Sequence, residues 1–99
     1  MKKLTQIDYK LPVNFLREGK YYIAYSPALD LSTSGKSFDE VKKRFEEVVQ
    51  IFFEELLDKG TFEEELFNLG WRKVKGEFKP PVVIANEEVS IPVRINYEK

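Results

Sequence analysis

Carboxylates and lysines are the groups in this chain that could do acid–base chemistry, because the sequence contains no histidine and no cysteine. Ser–His and Cys–His nucleophiles, histidine metal sites and thiolate metal sites are therefore excluded. The adjacent acids Glu46-Glu47 and Glu54-Glu55 fall in a helical pattern, where neighbouring side chains point about 100° apart and do not face each other. We therefore expect a non-enzymatic protein with no catalytic residues, no metal and no cofactor.

Two weaker chemical alternatives rest on short motifs. Ser34-Gly35-Lys36-Ser37 before a helix resembles the end of a phosphate-binding loop, but Asp30 stands where that motif needs its first glycine. The segment is better interpreted as a turn followed by a helix cap. Asp8 and Asp30 lie in or beside predicted strands and could hold a metal in a nuclease or hydrolase, which is the weakest hypothesis.

The longest element that would position these residues is a predicted amphipathic helix over Ser37–Lys59. Ser37 and Glu40 have the spacing of a capping box, and Gly60 supplies a left-handed stop. Its apolar residues recur at steps of three and four, which places them on one stripe. They are Phe38, Val41, Phe45, Val48, Val49, Phe52 and Leu56.

A three-stranded antiparallel meander is predicted upstream, where it would give the helix an apolar surface. Residues 7–16 alternate as a first strand, Gly19 marks a tight turn, and residues 21–25 and 29–33 follow as two more strands. In the second strand, Tyr21, Ile23 and Tyr25 are expected to face the helix. Tyr22 and Ala24 are expected to face outward.

The C-terminal part predicts a short helix, a connector and a returning strand. Thr61 begins a second capping box, Gly70 closes that helix, and Trp71 is expected to anchor the core. Residues 72–81 read as a polar connector and residues 82–84 as a short strand. Val89–Tyr97 alternates strictly, and Pro92 predicts an edge position.

The predicted fold is an α+β two-layer sandwich of order β-β-β-α-(α)-β, with the meander covered by one long helix. One domain would span residues 1–99, with the meander and helices in 7–71 and the connector and last strand in 72–99. The first residues lack the apolar core of a signal peptide, and no run is long enough to span a membrane, so we expect a cytoplasmic protein. The Lys- and Glu-rich, Cys-free composition resembles that of a thermophile.

Charge is unevenly distributed along the chain, although the formal net charge is only −1. Residues 37–71 hold four Lys or Arg against ten Asp or Glu. An acidic helical middle argues against contact with a nucleic-acid backbone and suits a basic protein partner.

The strand, turn and helix start resemble the HicB antitoxin family. The resemblance lies in two stretches, residues 22–31 (YIAYSPALDL) and 34–41 (SGKSFDEV), with matches at Tyr22, Pro27, Gly35, Ser37 and Glu40. The resemblance implies a partial ribonuclease H-like fold without catalytic acids. It also implies a protein that pairs with a small HicA-like, RNA-cleaving toxin and masks it. Residues 72–99 contain no amphipathic helix pair, so the resemblance is to a stand-alone HicB domain, and no direct nucleic-acid binding is expected.

Two binding hypotheses follow. In the first, the chain is an antitoxin-like module that occludes a basic toxin through partner-binding residues on the second strand, the following turn and the helix. These residues are Tyr22, Ala24, Pro27, Asp30, Glu47 and Glu54. In the second, the chain is a stand-alone homo-oligomer, a dimer or larger, with an unrelated binding role. Its oligomer interface would then use Val89, Ile91, Val93 and Ile95.

Overall fold

The computed structural model describes residues 8–96. Three strands come first: β1 (Asn14–Glu18), β2 (Tyr21–Ser26) and β3 (Leu31–Gly35). Two helices follow, α1 (Phe38–Lys59) and α2 (Phe62–Asn68), and then two short strands, β4 (Arg72–Val74) and β5 (Glu77–Lys79). The fold is thus α+β, with a three-stranded antiparallel sheet of order β1-β2-β3, a long helix, and a separate two-stranded sheet.

The predicted meander is present, but its first strand starts later than expected. Half-buried and exposed residues still alternate before this strand: the half-buried ones, which pack on the core, are Tyr9, Leu11 and Val13. The hydrogen-bonded pairing of β1 with β2 begins only at Asn14, which lies opposite Tyr25. Val13 lies opposite Ser26, the last residue of β2, so the residues before Val13 have no partner in β2.

The expected orientation of β2 is wrong, and the turn before it explains why. Only Gly19 and Lys20 separate the two strands, so Glu18 pairs with Tyr21 and odd residues of β1 lie opposite even residues of β2. Phe15 therefore shares a face with Ala24, which is fully buried against Val41 and Phe45 of α1. Tyr22, Ala24 and Ser26 face the helix, and Tyr21, Ile23 and Tyr25 face away from it.

The long helix is confirmed together with both of its ends. The Ser37 hydroxyl accepts a hydrogen bond from the Glu40 amide at 3.1 Å, while the Glu40 carboxylate accepts from the Lys36 amide at 3.2 Å. At the other end, Gly60 has φ +70° and donates its amide to the last turn. Val41, Phe45 and Leu56 are the buried residues of the stripe.

Gly35 is needed for close packing, whereas the sequence predicted a turn glycine. A β-carbon added to Gly35 would lie 2.9 Å from the amide nitrogen of Val41. The end of β3 can therefore approach the first turns of α1 only because this residue has no side chain.

The second helix and Trp71 complete the core. Leu66 is fully buried, and the indole nitrogen of Trp71 donates to the Ala28 carbonyl at 2.8 Å. The predicted capping box at Thr61 is wrong, because the Thr61 side chain makes no capping hydrogen bond. Gly70 has φ +89° after the helix, as expected for a helix stop.

The predicted connector over residues 72–81 is instead a β-hairpin. Lys75 and Gly76 both adopt positive φ between β4 and β5, which is the geometry of a two-residue hairpin turn. Phe78 of β5 is buried and packs its ring against those of Phe62 and Phe67. The hairpin thus closes the end of the core beside α2.

The predicted strands over residues 82–84 and 89–97 are absent from the described chain. Residues 82–96 form no ladder and are exposed throughout, and we call them the C-terminal arm. Tyr97, the last residue of the second predicted strand, lies outside the described residues. The alternation of Val89, Ile91, Val93 and Ile95 predicts a strand, but a strand also needs an edge to pair with, and the arm reaches none in its own chain.

Candidate protein-binding surface

Tyr22 and Ala24 do not lie where an outward contact surface would need them. Ala24 is fully buried beneath α1, so its side chain is not accessible to another protein. Tyr22 is half-buried on the same side, and the guanidinium of Arg17 lies 5.5 Å from the centre of its ring. Both residues support the sheet–helix packing.

Pro27 and Asp30 are exposed in the turn that joins β2 to β3. Asp30 has φ +49°, a left-handed conformation that aspartate tolerates better than most residues. Its carboxylate accepts a hydrogen bond from the Tyr25 hydroxyl at 3.0 Å. This bond raises the pKa of Tyr25 above its usual 10.0, with smaller contributions from desolvation and from the charge of Asp30. Asp30 is thereby joined to the side of the sheet that faces away from α1.

Glu47 and Glu54 are exposed on α1, two helical turns apart. Ile51 lies between them, one turn from each, and is 54% exposed. The sequence analysis did not select Ile51, although its position among acids in the helical pattern was a visible signal. Pro27 and Asp30 lie on the sheet layer, so the six predicted contact residues do not form one surface.

The side of the sheet that faces away from α1 carries a group of apolar residues that residues 8–96 leave half-buried or exposed. The register places Ile23 between Leu16 and Ser34, Tyr25 between Asn14 and Ser32, and Tyr21 opposite Glu18. Leu16 and Tyr21 are each 51% exposed. We call the four apolar members the outer sheet face: Leu16, Tyr21, Ile23 and Tyr25.

The outer sheet face differs in composition from an ordinary solvated side of a sheet. An antiparallel sheet with one solvated side normally shows polar residues there, but the central strand β2 presents Tyr21, Ile23 and Tyr25. Exposed apolar groups of this kind mark interaction sites, and tyrosine adds a hydroxyl to a large apolar ring. Glu18 lies at one end of the face and Asp30 at the other, so negative charge flanks it.

The carboxylates and the phosphate-loop-like segment, which could do chemistry, are not part of the outer sheet face. Within residues 8–96, no group of three or more Asp or Glu side chains is arranged to hold a metal ion. The Ser37 hydroxyl of the phosphate-loop-like segment is engaged as the cap of α1. A cleft of about 360 Å³ lies between residues 8–10, Phe62 and β5, and none of the predicted contact residues lines it.

Comparisons with known proteins give no match: no family model fits the chain, and none of the curated proteins or solved structures is significantly similar to it. The helices in the described part of the chain include none that is both long enough and apolar enough to cross a membrane.

Proposed function

We propose that this chain is a non-enzymatic protein-binding module that resembles a HicB antitoxin and masks a small HicA-like, RNA-cleaving toxin. The observation that carries the proposal is the outer sheet face, an apolar group on a β-β-β-α core that the rest of residues 8–96 leaves half-buried or exposed. The order of these elements agrees with the order that the resemblance implies. The matched positions Gly35, Ser37 and Glu40 have defined roles at the junction between β3 and α1.

The mechanism in this proposal is steric occlusion. The outer sheet face binds the toxin beside its RNA-binding surface, with Tyr21 and Leu16 as the most exposed contacts. The acids of α1, including Glu47 and Glu54, raise the rate of encounter with a basic partner without having to touch it. Asp30 and Glu18 add negative charge at the border of the contact.

The proposal predicts that a small basic protein is encoded beside this chain, and the experiment is a reconstitution with that protein. We expect the purified partner to cleave RNA and an equimolar amount of this protein to suppress that cleavage. Co-purification of the two proteins at a fixed ratio would support the same conclusion. If the neighbouring protein binds but RNA cleavage continues, or if no complex forms, the antitoxin-like role is contradicted.

A second candidate function is favoured by the exposed C-terminal arm. In this alternative the chain is a homo-oligomer with an unrelated binding role, and the arm mediates self-association. Deletion of residues 82–99 should then yield a folded monomer, as measured by light scattering and circular dichroism. A truncated protein that keeps the oligomeric state of the full chain would exclude the alternative.

A further inference from the structure

The C-terminal arm has the length and pattern of a strand that lacks its sheet. Its fifteen residues could extend about 50 Å at roughly 3.3 Å per residue. Val89, Ile91, Val93 and Ile95 alternate with Ser90, Pro92 and Arg94, yet all four apolar side chains are 59–71% exposed. The Cα radius of gyration is 17.7 Å, whereas about 13 Å is usual for a compact domain of this size.

Pro92 determines which backbone groups of the arm can pair. Successive residues of a strand direct their N–H groups to opposite edges, and proline has no N–H to donate. An arm that joins a sheet must therefore direct Pro92 away from its neighbour. Ile91 and Val93 then direct their backbone groups toward that neighbour, so the residues that pair are also the apolar ones.

Among residues 8–96, strand β1 pairs only with β2, and its other edge suits such an arm. Glu18 and Tyr21 flank a two-residue turn and exchange hydrogen bonds, so Phe15 and Arg17 direct their backbone groups away from β2. All five residues of β1 are exposed. The opposite edge is partly blocked, because Arg44 donates to the Ser34 carbonyl at 3.1 Å and is held there by Glu40.

The side chains beside the β1 edge also lack a cover. Phe15 stacks edge-to-face on Phe38 at 5.0 Å between ring centres, yet the two are 42% and 46% exposed. Helix α1 lies mainly over β3 and β2, which leaves this corner open. On β1, the residues whose backbone faces the edge are the same ones whose side chains face the helix.

We propose that the C-terminal arm of one copy adds antiparallel to β1 of a second copy. Opposite residues of an antiparallel pair share a side, so Ile91 and Val93 then cover Phe15 and Phe38. Pro92 faces the new outer edge, where it prevents a further strand from adding, and mutual exchange of arms gives a closed dimer. The arm does not cover the outer sheet face, so the dimer is compatible with either proposed function. The inference rests on the proposed homo-oligomer alternative only in requiring that the chain self-associates.

Adjacent proline substitutions test this pairing. We expect light scattering to give twice 11.7 kDa for the full chain. Val93→Pro removes an N–H that faces β1 and should yield a monomer, whereas Arg94→Pro removes an outward one and should leave the dimer. Val93→Ala controls for the lost side chain and should weaken the dimer less than Val93→Pro does. Circular dichroism verifies that each variant is folded.

Hydrogen exchange locates the partner strand. The Phe15 and Arg17 amides should be protected in the dimer and exchange rapidly in the Val93→Pro monomer, while the Leu16 amide, which bonds to β2, stays protected in both. A monomeric full chain would overturn the inference together with the homo-oligomer alternative. A dimer that survives both proline substitutions, or is lost with both, would overturn the inference alone, and so would unprotected Phe15 and Arg17 amides in the dimer.

Discussion

Ser26 illustrates how one residue can lower stability within a well-packed core. Its side chain is fully buried, and its hydroxyl oxygen has no hydrogen-bond partner among the described residues. An unsatisfied buried polar group costs about 1–3 kcal/mol. We therefore expect Ser26→Ala to raise the free energy of unfolding by about 1 kcal/mol, measured by urea denaturation. A lower denaturation midpoint would show that the hydroxyl has a partner that stabilises the fold.

The hydrogen bond between Tyr25 and Asp30 predicts a pH effect at one residue. The pKa of Tyr25 is raised because its neutral hydroxyl donates to the carboxylate, so this contribution to stability is present below pH 10.0 and is lost as the pH rises through the higher folded value. Asp30→Asn should move the titration of Tyr25 back toward 10.0. Absorbance near the tyrosinate band, with Tyr25→Phe as a control, measures the shift. An unchanged titration would contradict this assignment.

At the scale of elements, the junction between β3 and α1 depends on a residue without a side chain. Gly35→Ala would force a β-carbon against the backbone of Val41, where neither strand nor helix can move freely. We expect a loss of about 1–3 kcal/mol in the free energy of unfolding. Ser34→Ala is the matched control, because Ser34 is exposed and its carbonyl still accepts from Arg44. Equal stabilities of the two variants would contradict the close approach.

Elements that local signals determine were predicted well from the sequence. The stripe, the Ser37 cap and Gly60 located α1 almost to the residue, because capping and amphipathic periodicity act within a few residues. The pattern of β2 itself does not determine its orientation, because apolar residues occupy both of its sides, whereas the two-residue turn decides which residues of β1 and β2 share a side. The β4–β5 hairpin was missed although Lys75-Gly76 between two short alternating segments was its signal.

Prediction of the last strand failed for a different reason, whereas the error at the candidate site came from the orientation of β2. Alternation in residues 89–95 indicates which side chains would share a side of a strand. It does not indicate whether a sheet edge lies close enough for that strand to pair. The choice of Tyr22 and Ala24 as contacts followed from the reversed orientation of β2. Once that orientation is corrected, the same strand supplies Tyr21, Ile23 and Tyr25 instead.

At the scale of the whole molecule, two kinds of surface have no partner among residues 8–96. The outer sheet face is a compact apolar area suited to another protein, whereas the C-terminal arm and the β1 edge complement each other and suit a second copy. The outer sheet face lies on the side of the sheet away from α1, whereas the proposed contact with the arm lies along the β1 edge. A dimer joined by its arms would therefore present two outer sheet faces and could bind two partner molecules.

A matched pair of charge substitutions tests directly whether the outer sheet face binds a protein partner. Leu16→Glu places a charge in that face, while Leu57→Glu places one at an exposed position of α1. We expect calorimetry with the basic partner that the proposed function predicts to show at least a tenfold weaker affinity for Leu16→Glu, about 1.4 kcal/mol, and little change for Leu57→Glu. Equal affinities of the two variants would contradict the claim.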